Sequence, residues 1–354
     1  MRSQPVPCRF PPEPTLSVTT LAAAPAPAPP TRRVGPAAAL AAGLLLLLVV
    51  AVLSIAVGAR PLSPTEVWHG LVSAASPEHA VVHRMRLPRT LLGLVAGAAL
   101  GVAGALMQTL TRNPLADPGL LGINAGAAAA VASATALLGV GTTGGWIWFA
   151  LLGAATVTVG VYAVGGGRRA TPDRLALAGA ALNAVLYSYV SAVMLLNSAS
   201  LDRLRFWTVG SLANAEFATL RTVAPFVLAG LLVALAGARS LNALALGDDT
   251  ARALGARPAL VRGGAIAAVT LLCGAATAAC GPIVFVGLLV PHLVRVLTGP
   301  DLRWLLPACA LYAPVLLLGA DVLGRLLGRP GELQVGLVTA VLGGPLFLRL
   351  VARR

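Results

Sequence analysis

Blocks of about twenty apolar residues recur along the whole chain and are separated by short polar breaks. Of the 354 residues, 57% are hydrophobic and only 11% are charged. A helix needs about 20 consecutive apolar residues to cross the hydrocarbon core of a bilayer, so this pattern predicts an integral membrane protein. Because the blocks leave no room for a soluble catalytic domain, we expect one all-α domain that crosses the membrane several times.

Hydropathy predicts about ten membrane-spanning helices. The first block has a positively charged leading end, which would also suit a signal peptide, but its apolar run is too long for a signal core and favours an uncleaved span. The blocks lie at about 37–59, 90–110, 119–140, 146–165, 174–197, 219–238, 262–280, 283–298, 304–327 and 333–351.

The residues before the first block differ in composition from the rest of the chain. Residues 1–36 are rich in proline, alanine and threonine and cannot bury an apolar core. We therefore expect a disordered cytoplasmic tail over residues 1–36 and a transmembrane domain over residues 37–354.

The strongly basic balance of the chain predicts membrane topology. The net charge is +14, and every basic residue is an arginine. In a soluble protein this charge would suggest a nucleic-acid partner, but here the arginines lie mostly in the breaks between apolar blocks. Most fall on the side of the N-terminus, which predicts cytoplasmic termini in a multi-pass protein of the cytoplasmic membrane, with lipid and no nucleic acid as a partner.

Several classes of chemistry are excluded by what the sequence lacks. Without a lysine the chain cannot form the phosphate-binding loop GxxxxGK[ST], so ATP hydrolysis would require a separate subunit. It also has no HExxH, GxSxG or CxxC motif, and we predict no catalytic residue, metal or cofactor site. His79 and His83 are four residues apart and could share a metal, but without a third ligand a solvated pair is the simpler interpretation.

An ion-coupled secondary transporter is the alternative that the residues leave open. Such proteins usually bind the ion at an acidic residue near the bilayer centre. Asp321 is the carboxylate that lies well inside an apolar block, and Arg325 one turn later can pair with it as a structural clamp. A membrane scaffold without a transport role is a third possibility.

The most informative polar break is residues 241–261. Its centre, from Thr250 to Leu254, suits a short amphipathic helix, because Asp248 and Asp249 precede it where negative charge is favoured and Gly255 can end it. This pattern predicts a surface helix for docking, and a solvated turn is the alternative.

Several motifs follow one another along the chain. They are RLPRT at 86–90, GALMQTLTRNPLADPGLLGINAGA at 104–127, WTVGSL at 207–212, LGDDTARALG at 246–255, GPIVFVGLLVPHLVR at 281–295, ADVLGR at 320–325, PGELQVG at 330–336 and VTAVLGGPLF at 338–347. In content and order they resemble the motifs of one family, the permease subunits of ATP-binding-cassette (ABC) importers for iron-siderophores, haem and cobalamin. One departure is Gln334, where the family commonly has a proline.

The resemblance implies a type II ABC importer permease-like fold of about ten helices. It also implies that two copies form a homodimer around a central path, bind two ATPase subunits inside and receive cargo from a substrate-binding protein outside. The cytoplasmic stretch of the family that contacts the ATPase matches Gly247, Asp248, Asp249, Thr250, Ala251, Leu254 and Gly255.

Two further groups of residues are predicted from the resemblance together with the sequence pattern. Arg86, Arg89 and Arg325 lie on the outer side of the predicted topology, against the rule that arginines stay inside, which suggests contact with glutamates of the binding protein or with lipid phosphates. Asn183, Tyr187, Ser191 and Met194 share one face of the fifth span and are candidates for the translocation path, although hydrogen bonds between helices would explain them equally well.

Overall fold

The computed structural model describes residues 35–58, 62–167, 171–197, 204–205 and 207–352. The predicted N-terminal tail, residues 1–36, lies outside this part of the chain except for Gly35 and Pro36, and Pro36 is the first residue of the first helix. The division into a tail and a transmembrane domain therefore stays a prediction.

Helices connected by short loops make up the described residues. In chain order they are α1 (Pro36–Ala56), α2 (Pro64–Val72), α3 (His79–Val81), α4 (Leu87–Leu110), α5 (Ile123–Leu138), α6 (Thr143–Val164), α7 (Pro172–Leu196), α8 (Phe217–Ala245), α9 (Asp248–Ala253), α10 (Pro258–Cys280), α11 (Val286–Thr298), α12 (Leu302–Leu327) and α13 (Val335–Ala352).

The predicted all-α membrane architecture of about ten spans is confirmed. Within the described residues, seven helices are long and apolar enough to cross a membrane. They are α1, the continuous helix His79–Leu110 formed by α3, a π-helical turn at Val82–Arg86 and α4, and then α6, α7, α8, α10 and α12. Three shorter apolar helices, α5, α11 and α13, bring the set to ten. Hydropathy located these helices because each must satisfy its own backbone hydrogen bonds in lipid, which makes membrane insertion a property of the local segment.

Polar residues at the starts of the helices explain where they begin. The Thr171 side chain accepts a hydrogen bond from the Arg174 backbone N–H at the start of α7, and Asp301 accepts one from the Arg303 backbone N–H at the start of α12. These caps provide acceptors for N–H groups that have no partner inside the helix.

Helix α4 is the centre of the bundle and is buried along most of its length. It packs against α8, α10, α11 and α12. Glycines permit the close approach: a Cβ at Gly97 would lie 2.5 Å from the Pro314 Cα of α12, and a Cβ at Gly101 would lie 2.7 Å from the Cys309 carbonyl oxygen. Small residues at these contacts let the two backbones meet where lipid provides little hydrophobic driving force.

The two ends of the bundle are distinct. We call one the Arg89 end, where α4 begins and α1 and α12 end. At this end the Ser211 backbone N–H donates to the Cys280 carbonyl oxygen at 2.7 Å, and this bond joins the loop before α8 to the end of α10. We call the other the Asp248 end; there α9 lies beside the ends of α4 and α8 and the start of α10.

Candidate functional site

A buried ion cluster at the Arg89 end joins α4 to α12. The Arg89 Nε and Nη2 atoms lie 2.8–3.2 Å from the Asp321 carboxylate, and the Arg325 Nη2 lies 3.0 Å from the same carboxylate. Asp321 is fully buried. A second carboxylate, Glu332, bonds to Arg89 Nη1 at 2.6 Å and is about one third exposed. Two arginines are thus balanced by two carboxylates, as burial of charge requires.

The clamp predicted between Asp321 and Arg325 is present, but it is only part of this cluster. Its four-residue spacing in the sequence identified the pair. The spacing carried no information about Arg89 or Glu332, because they lie on α4 and in the loop before α13.

The end of α1 is bound by arginines from other parts of the chain. Arg86 Nη1 donates to the Ile55 and Ala56 carbonyl oxygens at 2.6 and 2.8 Å. Arg325 Nη1 donates to the Ser54 carbonyl oxygen at 2.9 Å. The last carbonyls of a helix have no partner within it and carry the negative end of the helix dipole, so cations stabilise them. The additional bonds run from Arg325 to the Val57 carbonyl oxygen and the Ser54 Oγ and from Arg329 to the Gly58 carbonyl oxygen.

The structure therefore brings the three predicted docking arginines together and gives each of them partners within the chain. Arg86, Arg89 and Arg325 are all buried. Their burial is not predicted by the sequence, because the α1 carbonyls and the two carboxylates that accept their hydrogen bonds come largely from distant parts of the chain. A docking role remains a prediction, and it requires an incoming carboxylate to reach the cluster.

A cavity of about 470 Å³, here called the mouth pocket, provides a route to Arg89. Arg89 and Glu332 line it together with aromatic and polar side chains. The buried Oε1 of Gln334, the residue that departs from the family pattern, has no hydrogen-bond partner among the described residues. The other side chains that line the pocket include Trp146, Trp207, Ser211, Asn214 and Cys280.

At the opposite end, the predicted surface helix is present as α9. Its first residue, Asp248, accepts hydrogen bonds from Arg112 Nη2 at 3.2 Å and from Arg262 Nη2 at 3.1 and 3.2 Å. Arg112 also donates to the Leu244 carbonyl oxygen at the end of α8. These contacts fix the start of α9 to the ends of α4 and α8 and to α10. The sequence pattern located the helix but did not identify Arg112 and Arg262 as its anchors.

The predicted coupling residues divide between two sides of α9. Asp248 and Ala251 face the bundle, and Ala251 is fully buried. Asp249, Thr250 and Leu254 are exposed, with 65% of Leu254 accessible. Gly247 and Gly255, with φ of 118° and 79°, stand at the two ends of the helix in a backbone conformation that L side chains rarely adopt. The exposed side therefore presents the large apolar side chain of Leu254 among polar ones, which include Arg252, 60% exposed.

At the Asp248 end, Asp301 links the start of α12 to the last part of α8. Its Oδ1 accepts from Asn242 Nδ2 of α8 at 2.7 Å, and its carboxylate pairs with Arg303 at 2.8 Å. The hydrogen bond from the Arg303 side chain is the main cause that lowers the pKa of Asp301 below its ordinary value. Asp301 is thus held ionised at the Asp248 end.

The four predicted path residues do not share one environment. Asn183 Nδ2 of α7 donates to the Gly119 carbonyl oxygen, in the short 3-10 turn before α5, at 3.0 Å. Met194 packs against the core. Tyr187 and Ser191 are exposed on α7, where Ser191 Oγ donates to the Tyr187 carbonyl oxygen at 2.9 Å. A path along α7 stays a prediction, and Tyr187 and Ser191 are the positions available to line it.

His79 and His83 contact helix α2. The His79 Nδ1 lies 3.1 Å from the Gly70 carbonyl oxygen, and the His83 Nε2 lies 3.2 Å from the Leu71 carbonyl oxygen. A carbonyl oxygen can only accept, so each of these nitrogens carries the proton. The two rings stack with centroids 4.2 Å apart. The pair thus binds the last turn of α2 and does not form a simple solvated pair.

Comparison with known proteins places this architecture among transport proteins. The profile of the FecCD transport family matches residues 46–353. The chain is 48% identical to the ferric enterobactin transport system permease protein FepD of Escherichia coli, over 88% of this chain and 94% of that one. It is 40% identical to the hemin transport system permease protein HmuU of Yersinia pestis, over 91% and 97% of the two chains.

A solved structure has the same fold. It is an inward-facing conformation of a metal-chelate type ABC transporter, with a TM-score of 0.79, 28% sequence identity, and coverage of 90% of this chain and 100% of that one. The family match begins within α1 and extends through α13, and the structural match covers 90% of the chain.

Proposed function

The chain belongs to the FecCD transport family, and on that premise we propose that it is the permease subunit of an ABC importer that moves an iron chelate across the cytoplasmic membrane. The observation that carries the proposal is the family match over residues 46–353, which includes every one of the ten apolar helices at least in part. ATP hydrolysis belongs to a separate subunit, because the chain has no lysine with which to build a phosphate-binding loop.

An iron-siderophore is the cargo that the relatives favour, with haem or a related chelate as the other members of the class. The ferric enterobactin permease is 48% identical to the chain, and the hemin and Fe(3+) dicitrate permeases are each 40% identical. Uptake of labelled chelates measures which of them the chain carries.

The exposed side of α9 is the proposed contact with the ATPases. Asp248 and Ala251 hold the helix to the bundle, which leaves Asp249, Thr250 and Leu254 to meet a partner. A short helix anchored by charges to the end of α4 and the start of α10 can transmit a push to those spans. This arrangement suits transfer of motion from a motor to the membrane domain.

The Arg89 end is the proposed docking surface for the substrate-binding protein. Arg89 borders the mouth pocket, and its Nη1 bonds to Glu332, which is partly exposed. A glutamate of the binding protein can exchange with Glu332 and leave the buried Asp321 pair in place. Arg86 and Arg325 then act by holding the end of α1 and the position of the cluster.

We further propose a homodimer with a path along the facing α7 helices. Only about a tenth of the apolar stretch of α7 is buried within one chain, and Leu177, Val185 and Leu195 are all well exposed. A closed two-fold pair would also match two identical ATPases. Helix α13 returns the chain to the side of the membrane where α1 begins. With the Asp248 end facing the cytoplasm, both termini are then cytoplasmic.

The ion-coupled alternative is less well supported by the charges. Such a carrier needs an acidic side chain that can exchange its ion or proton within the membrane. Asp321 lies inside α12, but both of its oxygens bond to arginines. A carboxylate committed to two guanidinium groups is poorly suited to cycle between bound and unbound states.

Reconstitution distinguishes the two functions. The chain is placed in proteoliposomes alone or with its ATPase and binding protein, and uptake of ⁵⁵Fe-labelled ferric enterobactin and haem is measured. An importer permease transports only when ATPase, ATP and loaded binding protein are all present. Uptake by the chain alone under a proton or sodium gradient would overturn the proposal.

A further inference from the structure

Helix α2 is a small amphipathic helix at the Arg89 end, outside the set of ten spans. Its inner face packs Val67 against Val82, and together with Leu62 they form an apolar cluster separate from the main core. Gly70 completes this face, because a Cβ there would lie 2.8 Å from the Val82 side chain. The helix thus has a specific seat on the chain between α1 and α4.

Both ends of α2 are fixed. At its start, the Ser63 side chain accepts from the Glu66 backbone N–H, and the Glu66 side chain accepts from the Ser63 backbone N–H at 2.7 Å, which is a capping box. At its end, His79 and His83 donate to its last-turn carbonyls. The outer face of α2 is therefore held in one orientation.

That outer face is apolar and exposed. Trp68 and Val72, one turn apart, are 65% and 66% accessible, and Met85, in the π-helical segment Val82–Arg86 that leads into α4, is 65% accessible. His69 is also exposed and lies about 100° around the helix from Trp68, towards the side that carries Glu66. The exposed surface of α2 thus has an apolar edge and a polar edge.

We propose that α2 is a membrane-surface anchor, with Trp68, Val72 and Met85 in the boundary between headgroups and acyl chains of the leaflet at the Arg89 end. Helix α1, which precedes α2, also exposes leucines and valines, such as Leu45 and Val52, along its length, and the Leu62 backbone N–H bonds to the Ala56 carbonyl oxygen at its end. Only the short stretch from 57 to 63 separates α1 from α2, so α2 begins at the depth where α1 leaves the hydrocarbon.

The chemistry of the side chains matches that depth. Tryptophan is enriched at the interface between membrane and water, where its ring can lie among the headgroups. Arg84, which is exposed beside Met85, can reach lipid phosphates while its stem follows apolar surface. The polar edge with His69 and Glu66 would then face water, as expected for a helix lying in the plane of the interface.

Spin labels on α2 test this placement. Single cysteines replace Trp68, Val72 or His69 in a background with Cys8, Cys273, Cys280 and Cys309 changed to alanine or serine. Each protein is placed in nanodiscs of phosphatidylethanolamine and phosphatidylglycerol, and the collision rates of the label with oxygen and with a water-soluble nickel chelate are compared. Size-exclusion chromatography and uptake assays with the partner subunits select variants that fold.

Membrane anchoring predicts that the labels of Trp68→Cys and Val72→Cys collide severalfold more with oxygen than with nickel, whereas the matched His69→Cys label prefers nickel. A water-like ratio at all three positions would overturn the proposal. Low collision rates with both reagents at positions 68 and 72 would also overturn it, since they would show that protein covers this face.

A second measurement avoids the cysteine background. The fluorescence of the protein in nanodiscs with lipids brominated near the headgroup is compared with that of Trp68→Phe. The difference between the two signals belongs to Trp68, and the proposal requires it to be quenched by shallow bromines more than by bromines at the chain ends. A signal that neither lipid quenches contradicts an interfacial Trp68.

Discussion

Arg89 holds Asp321 through two of its guanidinium nitrogens, at 2.8–3.2 Å, across 232 positions of sequence. The pair joins the start of the central helix α4 to α12, and it is buried. Bidentate geometry and a second arginine, Arg325, offset the high cost of removing the carboxylate from water. Removing one member should therefore be much more harmful than the same change at an exposed acid.

Asp321→Asn should destabilise the protein by about 3 to 5 kcal/mol, because it leaves two buried arginines with one partly exposed carboxylate. Thermal unfolding of the purified protein in detergent measures the effect. Asp173→Asn, on the exposed first turn of α7, is the matched control and should change stability by less than about 0.5 kcal/mol. Equal effects of the two variants would contradict the structural importance of the cluster.

Glu332→Gln should strengthen docking of the substrate-binding protein. Glu332 bonds to Arg89 and would compete with a carboxylate from the partner, so its neutralisation should raise the affinity by about tenfold and steepen the salt dependence. Surface plasmon resonance on the complex in nanodiscs measures both. Glu332→Asp retains the charge and should behave like the wild type.

The docking prediction also has a sharper negative outcome. If Glu332→Gln and Arg89→Lys both leave the affinity and its salt dependence unchanged while the proteins remain folded, the cluster is structural and docking occurs elsewhere. Arg86 and Arg325 are poorer probes, because their replacement would remove hydrogen bonds from the end of α1.

Leu254→Asp should uncouple transport from ATP hydrolysis without preventing membrane insertion. Leu254 is the large exposed apolar side chain at the end of α9, and a charge there would be buried against the ATPase. We expect binding-protein-stimulated ATPase activity and uptake to fall by tenfold or more. Leu260→Gln, at a leucine of the same 65% exposure just outside α9, is the control. Normal uptake by Leu254→Asp would place the ATPase contact elsewhere.

Asp248 and Asp249 form a natural pair of test and control. Asp248 bonds to Arg112 and Arg262, whereas the fully exposed side chain of Asp249 pairs with Arg252 on the same helix. Asp248→Asn should weaken the anchoring of α9 by about 1 kcal/mol and increase hydrogen–deuterium exchange of residues 247–256, while Asp249→Asn should have a smaller effect. Faster exchange in Asp249→Asn than in Asp248→Asn would contradict the proposed anchoring.

The Asp301 carboxylate predicts a loss of stability in acid. Its folded-state pKa is lowered, chiefly by the hydrogen bond from Arg303, so the ionised form stabilises the fold. This contribution is fully present above the unfolded pKa of about 3.9 and disappears as pH falls through the lower folded value. The unfolding temperature of the wild type should exceed that of Asp301→Asn at pH 6, and the gap should narrow below about pH 4. A gap that stays constant with pH would show that the carboxylate is not the cause.

The sequence by itself determined the number and approximate position of the spans and the presence of α9. Insertion depends on the apolar length of one segment, and a short helix depends on its own caps, so both can be inferred locally. A short helix from Thr250 to Leu254 is predicted because Asp248, Asp249 and Gly255 lie within a few positions of one another, and the observed α9 begins two residues earlier, at Asp248.

Only the tertiary structure decided the environment of the outer arginines and the division of α9 into an anchored and an exposed side. Arg89 meets Asp321, and Arg325 meets the carbonyls of Ser54 and Val57, across more than two hundred residues. Such pairings depend on which helices pack together and at what height, and hydropathy is insensitive to both. A charged group in or near the membrane must find a partner, but the identity of that partner is set by the packing of the whole bundle.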